Sequence, residues 1–181
     1  MIIGSMRKAY VFPGSRQDAN DYDNLFSMLK SKGFEPLAVA IDWEKASFKQ
    51  YLAEAKRQIA GAKSNDIFLG FSYGSNIAMA VKNGTGIRAI LCSTPNLYDL
   101  GKRRLFDKIS GLSMDWQEVD KLDLAAVSTD NMSFVAGSEE KIYSVFAQHL
   151  GSLYDVKPSI IQGAAHNIDS PAYVDGLETI I

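Results

Sequence analysis

The chain has 181 residues, 46% of them apolar, and a net charge of −2. That is enough sequence for one domain with a proper core. The near-neutral balance gives no electrostatic basis for binding nucleic acid or an anionic membrane. The lone cysteine, Cys92, rules out an internal disulfide framework and fits a reducing, cytoplasmic setting. No run approaches the ~20 apolar residues of a membrane span. No charged-then-apolar leader is visible, so nothing points to secretion. Residues 1–5 read as a tag remnant or a frayed terminus.

Strand and helix signals alternate along the chain. Lys8 to Phe12 reads as a strand ending at Pro13-Gly14. Tyr22 to Lys32 places Tyr22, Leu25, Phe26 and Leu29 on one helical face, and Gly33 is a good stop. Leu37 to Ile41 is a second strand, and Trp43 to Ala62 a long amphipathic helix. Asp66 to Leu69 is a short apolar strand, followed by Gly70-Phe71-Ser72-Tyr73-Gly74 and a helix over Ser75 to Lys82. Ile87 to Cys92 is the fourth strand and Met132 to Ala136 the fifth. Glu139 to Leu150 is helical, Val156 to Ile161 a sixth strand, and Pro171 to Ile180 a closing helix. Pro158 lacks a ladder donor, which places the last strand at a sheet edge.

This alternation predicts an α/β fold: a three-layer sandwich with a mainly parallel six-stranded sheet in the order 2-1-3-4-5-6. Continuous apolar runs such as Ile87 to Cys92 fit strands covered on both faces. Ligands of such sheets bind at the carboxyl ends of the strands, near the point where the strand order reverses. The segment 95–128 interrupts the pattern and reads as a small helical cap inserted into a single domain over 6–181.

The pentapeptide Gly70 to Gly74 carries the functional signal. G-x-S-x-G between a strand and a helix is a nucleophile elbow, a turn too tight for side chains at its flanks. A serine hydroxyl needs an adjacent base. The chain has two histidines. His149 lies near a helix end, where a histidine commonly meets the C-terminal dipole. His166 lies in a small-residue loop past the last strand, at the edge that also carries Ser72, and is the expected base. A carboxylate must orient that base. Glu139 and Glu140 follow the fifth strand, and by position either can serve. The order serine, acid, histidine is that of this geometry on a doubly wound sheet.

Four segments together resemble the α/β-hydrolase superfamily: Val11 to Ser15, Gly70 to Gly74, Val135 to Glu140, and Gly163 to His166. The likeness runs from about Lys8 to the C-terminus. It implies a Ser72–His166–Glu140 triad, because the family's acid register fits Glu140 better than Glu139. It also implies an oxyanion hole built from the backbone N–H groups of Tyr73 and Ser15, with Pro13 standing where the family often has histidine. The family strands that precede the first one here, and any large lid, are missing, as in compact esterases and thioesterases.

The expected activity is therefore hydrolysis of a small-molecule carboxylic ester or thioester through an acyl-enzyme on Ser72, with no cofactor and no metal. An acyltransferase using the same triad is the rival within catalysis. A binding or scaffold protein that kept the fold is the rival outside it. Other features carry less. Gly84 to Ala89 spells a dinucleotide fingerprint but precedes a strand, where no helix N-terminus could meet a pyrophosphate. Lys102-Arg103-Arg104 and Arg16 read as solvated surface, and Cys92 as packing.

Overall fold

The computed structural model describes residues 6–43, 47–95 and 130–181. Six strands form one sheet: β1 (Arg7–Phe12), β2 (Phe34–Ala38), β3 (Ile67–Phe71), β4 (Arg88–Cys92), β5 (Met132–Gly137) and β6 (Ser159–Ile161). Their order is β2-β1-β3-β4-β5-β6, and each neighbouring pair is parallel. This is the predicted order. The reversal falls between β1 and β3, so the ends of these two strands border a common crevice.

Side chains alternate across the sheet and divide the core into two layers. Tyr10, Phe12, Phe68, Leu91, Phe134 and Ala136 face one side. There they meet α2 (Phe48–Gln58), α3 (Tyr73–Lys82) and α4 (Lys141–Tyr154). Val11, Leu69, Phe71, Ile90, Cys92 and Val135 face the other side. They are covered by α1 (Asp23–Ser31) and α5 (Pro171–Ile180). The central strands are buried on both faces, which is why they read as continuous apolar runs rather than alternating ones.

Several boundaries differ from expectation for local reasons. β2 starts at Phe34, not Leu37, and runs through Pro36. It is an edge strand, where a proline's missing donor costs no ladder bond. The second long helix begins only at Phe48, because Ser47 and Gln50 form a reciprocal capping box there. α4 starts at Lys141 and runs past Gly151 to Tyr154. Gly151 does not stop this helix. A Cβ there would meet the Val156 carbonyl oxygen at 2.5 Å, so the residue serves a close backbone approach. Instead Asp155 ends the helix with φ 52°. β6 keeps only three residues, and Pro158 precedes it. The expected cap over 95–128 and the terminal residues 1–5 lie outside the described residues, apart from Pro95.

Among the described residues no helix is long and apolar enough to cross a membrane. Cys92 is a free thiol, fully buried. Burial, and secondarily the nearby Glu140 charge, push its pKa far above the ordinary thiol range. The native protein should therefore leave Cys92 unmodified by a thiol-reactive disulfide reagent at neutral pH. One equivalent of thiol should appear only on unfolding, read as released chromophore with and without denaturant.

Candidate active site

The elbow is built from backbone approach. Ser72 joins β3 to α3 with φ 50° and ψ −125°, a conformation that costs a non-glycine residue ~1–3 kcal/mol. A Cβ on Gly70 would meet the Ser75 Cα at 2.5 Å. A Cβ on Gly74 would overlap the carbonyl oxygens of Phe12 and Pro13. Both glycines are thus required sterically, and the second presses the loop after β1 against the elbow. The Cys92 carbonyl accepts from the Ser72 N–H at 2.9 Å and the Ser75 hydroxyl at 2.8 Å, which fastens the turn to β4.

The loop after β1 carries Ser15. Its shape is held by Tyr22, whose phenolic oxygen accepts from the Gly14 N–H at 3.0 Å and donates to Gln17 Oε1 at 2.9 Å. Tyr73 opens α3, where backbone N–H groups point out of the helix end. Its ring anchors that end by packing on Trp43, Phe48 and Tyr51. Arg16, in the same loop, is exposed.

A second pair of loops meets across β5 and β6. A Cβ on Gly137 would overlap the Ala164 carbonyl oxygen, so only glycine lets these backbones touch. Three bonds sew them together. Ser138 N–H donates to Ile161 O at 2.9 Å, Glu139 N–H to Ala164 O at 3.0 Å, and Gly163 N–H to Ser138 Oγ at 2.9 Å. The contact brings Glu140 and His166 together, and the His166 Nδ1 hydrogen-bonds Glu140 Oε1. Glu140 is buried, whereas Glu139 is exposed and contacts Ser138. Of the two glutamates left open by position, Glu140 is the one that reaches the imidazole.

Glu140 has further fixed donors. The Gly137 N–H reaches Oε2 at 2.6 Å, and the Ser93 hydroxyl lies 2.8 Å from both carboxylate oxygens. Tyr173 lies 2.8 Å from Ser93 Oγ. A carboxylate only accepts, so the single Ser93 proton goes to Glu140 and the Tyr173 phenol must donate to Ser93. Burial holds the Tyr173 pKa well above its usual value, which keeps that proton in place. By the same logic Nδ1 of His166 carries a hydrogen, and in the neutral ring Nε2 is then the acceptor.

The imidazole lies against two aromatic rings. Phe71, the residue before Ser72, has its centroid 4.8 Å away, and Tyr143 stacks at 4.3 Å with an interplanar angle of 12°. The Tyr143 hydroxyl interacts with Ser72. Among the described residues no direct hydrogen bond joins Ser72 to His166; Tyr143 touches both. Such bonds are commonly long before substrate arrives. His149 is exposed on α4, away from this cluster. Among the described residues no group of histidine, cysteine and acidic side chains could hold a metal ion.

No family model and no curated protein sequence matches the chain. Solved structures do. The ydeN gene product from B. subtilis superposes with a TM-score of 0.66 at 15% identity, covering 96% of this chain and 97% of that one. The thioesterase domain from the curacin biosynthetic pathway gives a TM-score of 0.66 at 14% identity, covering 97% and 91%. A variant of polyneuridine aldehyde esterase gives 0.67 at 13% identity, covering 94% and 97%. The chain has the α/β-hydrolase fold.

Sequence reasoning missed three residues at the carboxyl edge of this α/β-hydrolase sheet. Ser93 follows β4 as Ser72 follows β3, with a similarly positive φ of 49°, and the pairing of Phe71 with Cys92 puts the two serines side by side at the edge. That register was the available signal. Tyr143 is one helical turn past Glu140, a spacing visible in the sequence. Tyr173 gave none beyond its place in an amphipathic helix. Ser93→Ala should strand both the Tyr173 phenol and one side of Glu140. A loss of about 1–3 kcal/mol in urea unfolding is expected, whereas Ser138→Ala, at a partly exposed position, should cost less than half as much.

Proposed function

We propose that this protein is a serine hydrolase that cleaves a carboxylic ester or thioester of a small molecule. The observation that carries the reading is the buried Glu140 bonded to Nδ1 of His166, beside a serine held at φ 50° on an elbow. Ser72 Oγ attacks the carbonyl carbon, and its proton passes to His166 Nε2. Glu140 keeps the imidazole in the required tautomer and balances the imidazolium charge. The N–H groups of Tyr73 and Ser15 stabilise the oxyanion. Collapse of the tetrahedral adduct expels the alcohol or thiol, which takes the proton from His166. Water then attacks the acyl-serine, giving one proton to His166 and releasing the acid as Ser72 regains its own. Each group is supplied by the chain, so the scheme calls for no cofactor. The hydrolase, esterase and thioesterase neighbours support the reaction class.

A fluorophosphonate probe tests the reading directly. Wild-type protein should label, Ser72→Ala should not, and His166→Ala should label far more slowly. A folded wild type that neither labels nor turns over any member of an ester and thioester panel would point to a binding role instead. The acid assignment has its own test. Glu140→Gln should lower kcat by about 10³–10⁴-fold, while Glu139→Gln should stay within about twofold of wild type. Equal losses in the two variants would overturn the choice of Glu140.

A further inference from the structure

Glu140 and Tyr143 are three residues apart at the start of α4, so their side chains rise from one face of its first turn. Glu140 takes the edge of the imidazole and Tyr143 its face. The hydrogen bond from Nδ1 fixes one atom of the ring but leaves the ring free to swing about it. Stacking at 4.3 Å and 12° on one ring, with Phe71 at 4.8 Å, removes that freedom. The same aromatic face attracts the imidazolium that forms when the serine proton arrives. The hydroxyl of Tyr143 also interacts with Ser72. That contact restricts the rotamers open to the Ser72 side chain.

We propose that Tyr143 is a positioning residue of this site: its ring fixes the plane of His166, and its hydroxyl selects one rotamer of Ser72. The inference rests on the serine-hydrolase reading above. Serine has three staggered χ1 wells and little on a half-buried elbow to choose among them. Without the phenol the hydroxyl is spread over these wells, and the fraction facing Nε2 falls.

Two variants separate the two contacts, assayed with a fluorophosphonate probe and with p-nitrophenyl acetate. Tyr143→Phe keeps the ring. It should lower kcat by about three- to tenfold with KM unchanged and slow labelling by the same factor. Tyr143→Leu removes the ring too and should lower kcat by about a hundredfold, as expected when a base is misplaced. Thermal melts establish that each variant is folded; should Tyr143→Leu fail to fold, Tyr143→Phe alone decides. A Tyr143→Phe enzyme that labels and turns over as fast as wild type, or faster, overturns the inference and leaves the hydrolase reading intact. So does a loss confined to KM. A wild type that neither labels nor hydrolyses removes both together.

Discussion

Two backbones touching at Gly137 and Ala164 are the constraint on which the rest of the site depends. Glu140 and His166 lie 26 residues apart in the chain, at the ends of different strands. Parallel pairing of Gly137 with Ile161 brings the loops to the same edge. A missing side chain lets them close the remaining gap, and three hydrogen bonds hold them there. Gly74 does the same for the loop after β1 and the elbow. The carboxyl edge is thus assembled by backbone contact first. Side-chain chemistry is laid on a frame that loops alone would not hold still, in keeping with the tighter geometry that sites on regular elements achieve.

The strain at Ser72 belongs to the same economy. A positive φ on a non-glycine residue is unfavourable, and it persists because the surroundings over-determine it. The Cys92 carbonyl grips the turn from β4, and Gly70 lets the first turn of α3 sit directly on the sheet. The ring of Tyr73 then locks the start of α3 into an aromatic cluster with Trp43, Phe48 and Tyr51. One result is that Ser72 and the start of α3 are tied to the apolar core by a single residue, whose backbone faces the crevice and whose side chain faces inward.

Much of this was legible in the sequence, and the physical reason is that its strongest signals are local. The elbow announces itself because a turn that tight excludes side chains at two fixed positions. The strand order follows from alternation and from the handedness of crossovers. Edges were harder. The second strand is expected from Leu37, yet it begins at Phe34 and runs through Pro36, which an edge strand tolerates. The helix expected to end at Leu150 runs on through Gly151, which answers to a contact with Val156 that no local rule contains. The choice between Glu139 and Glu140 lay beyond position alone. Adjacent residues in a turn point in different directions, and which one faces inward is decided by the loop opposite. Tyr173 was invisible for the same reason, since its partner Ser93 lies 80 residues away.

The line of hydroxyls running from Tyr173 through Ser93 to Glu140 has a wider meaning. In water a carboxylate is surrounded by dipoles that must turn whenever its neighbour gains or loses charge. Here those dipoles are replaced by a phenol on the C-terminal helix, a serine at a strand end and a backbone amide, each already aimed. Glu140 carries a frozen solvation shell, so a charge formed on His166 would meet an environment that has nothing left to rearrange. The last helix of the chain, remote from the elbow in sequence, is thereby part of the medium in which proton transfer would take place.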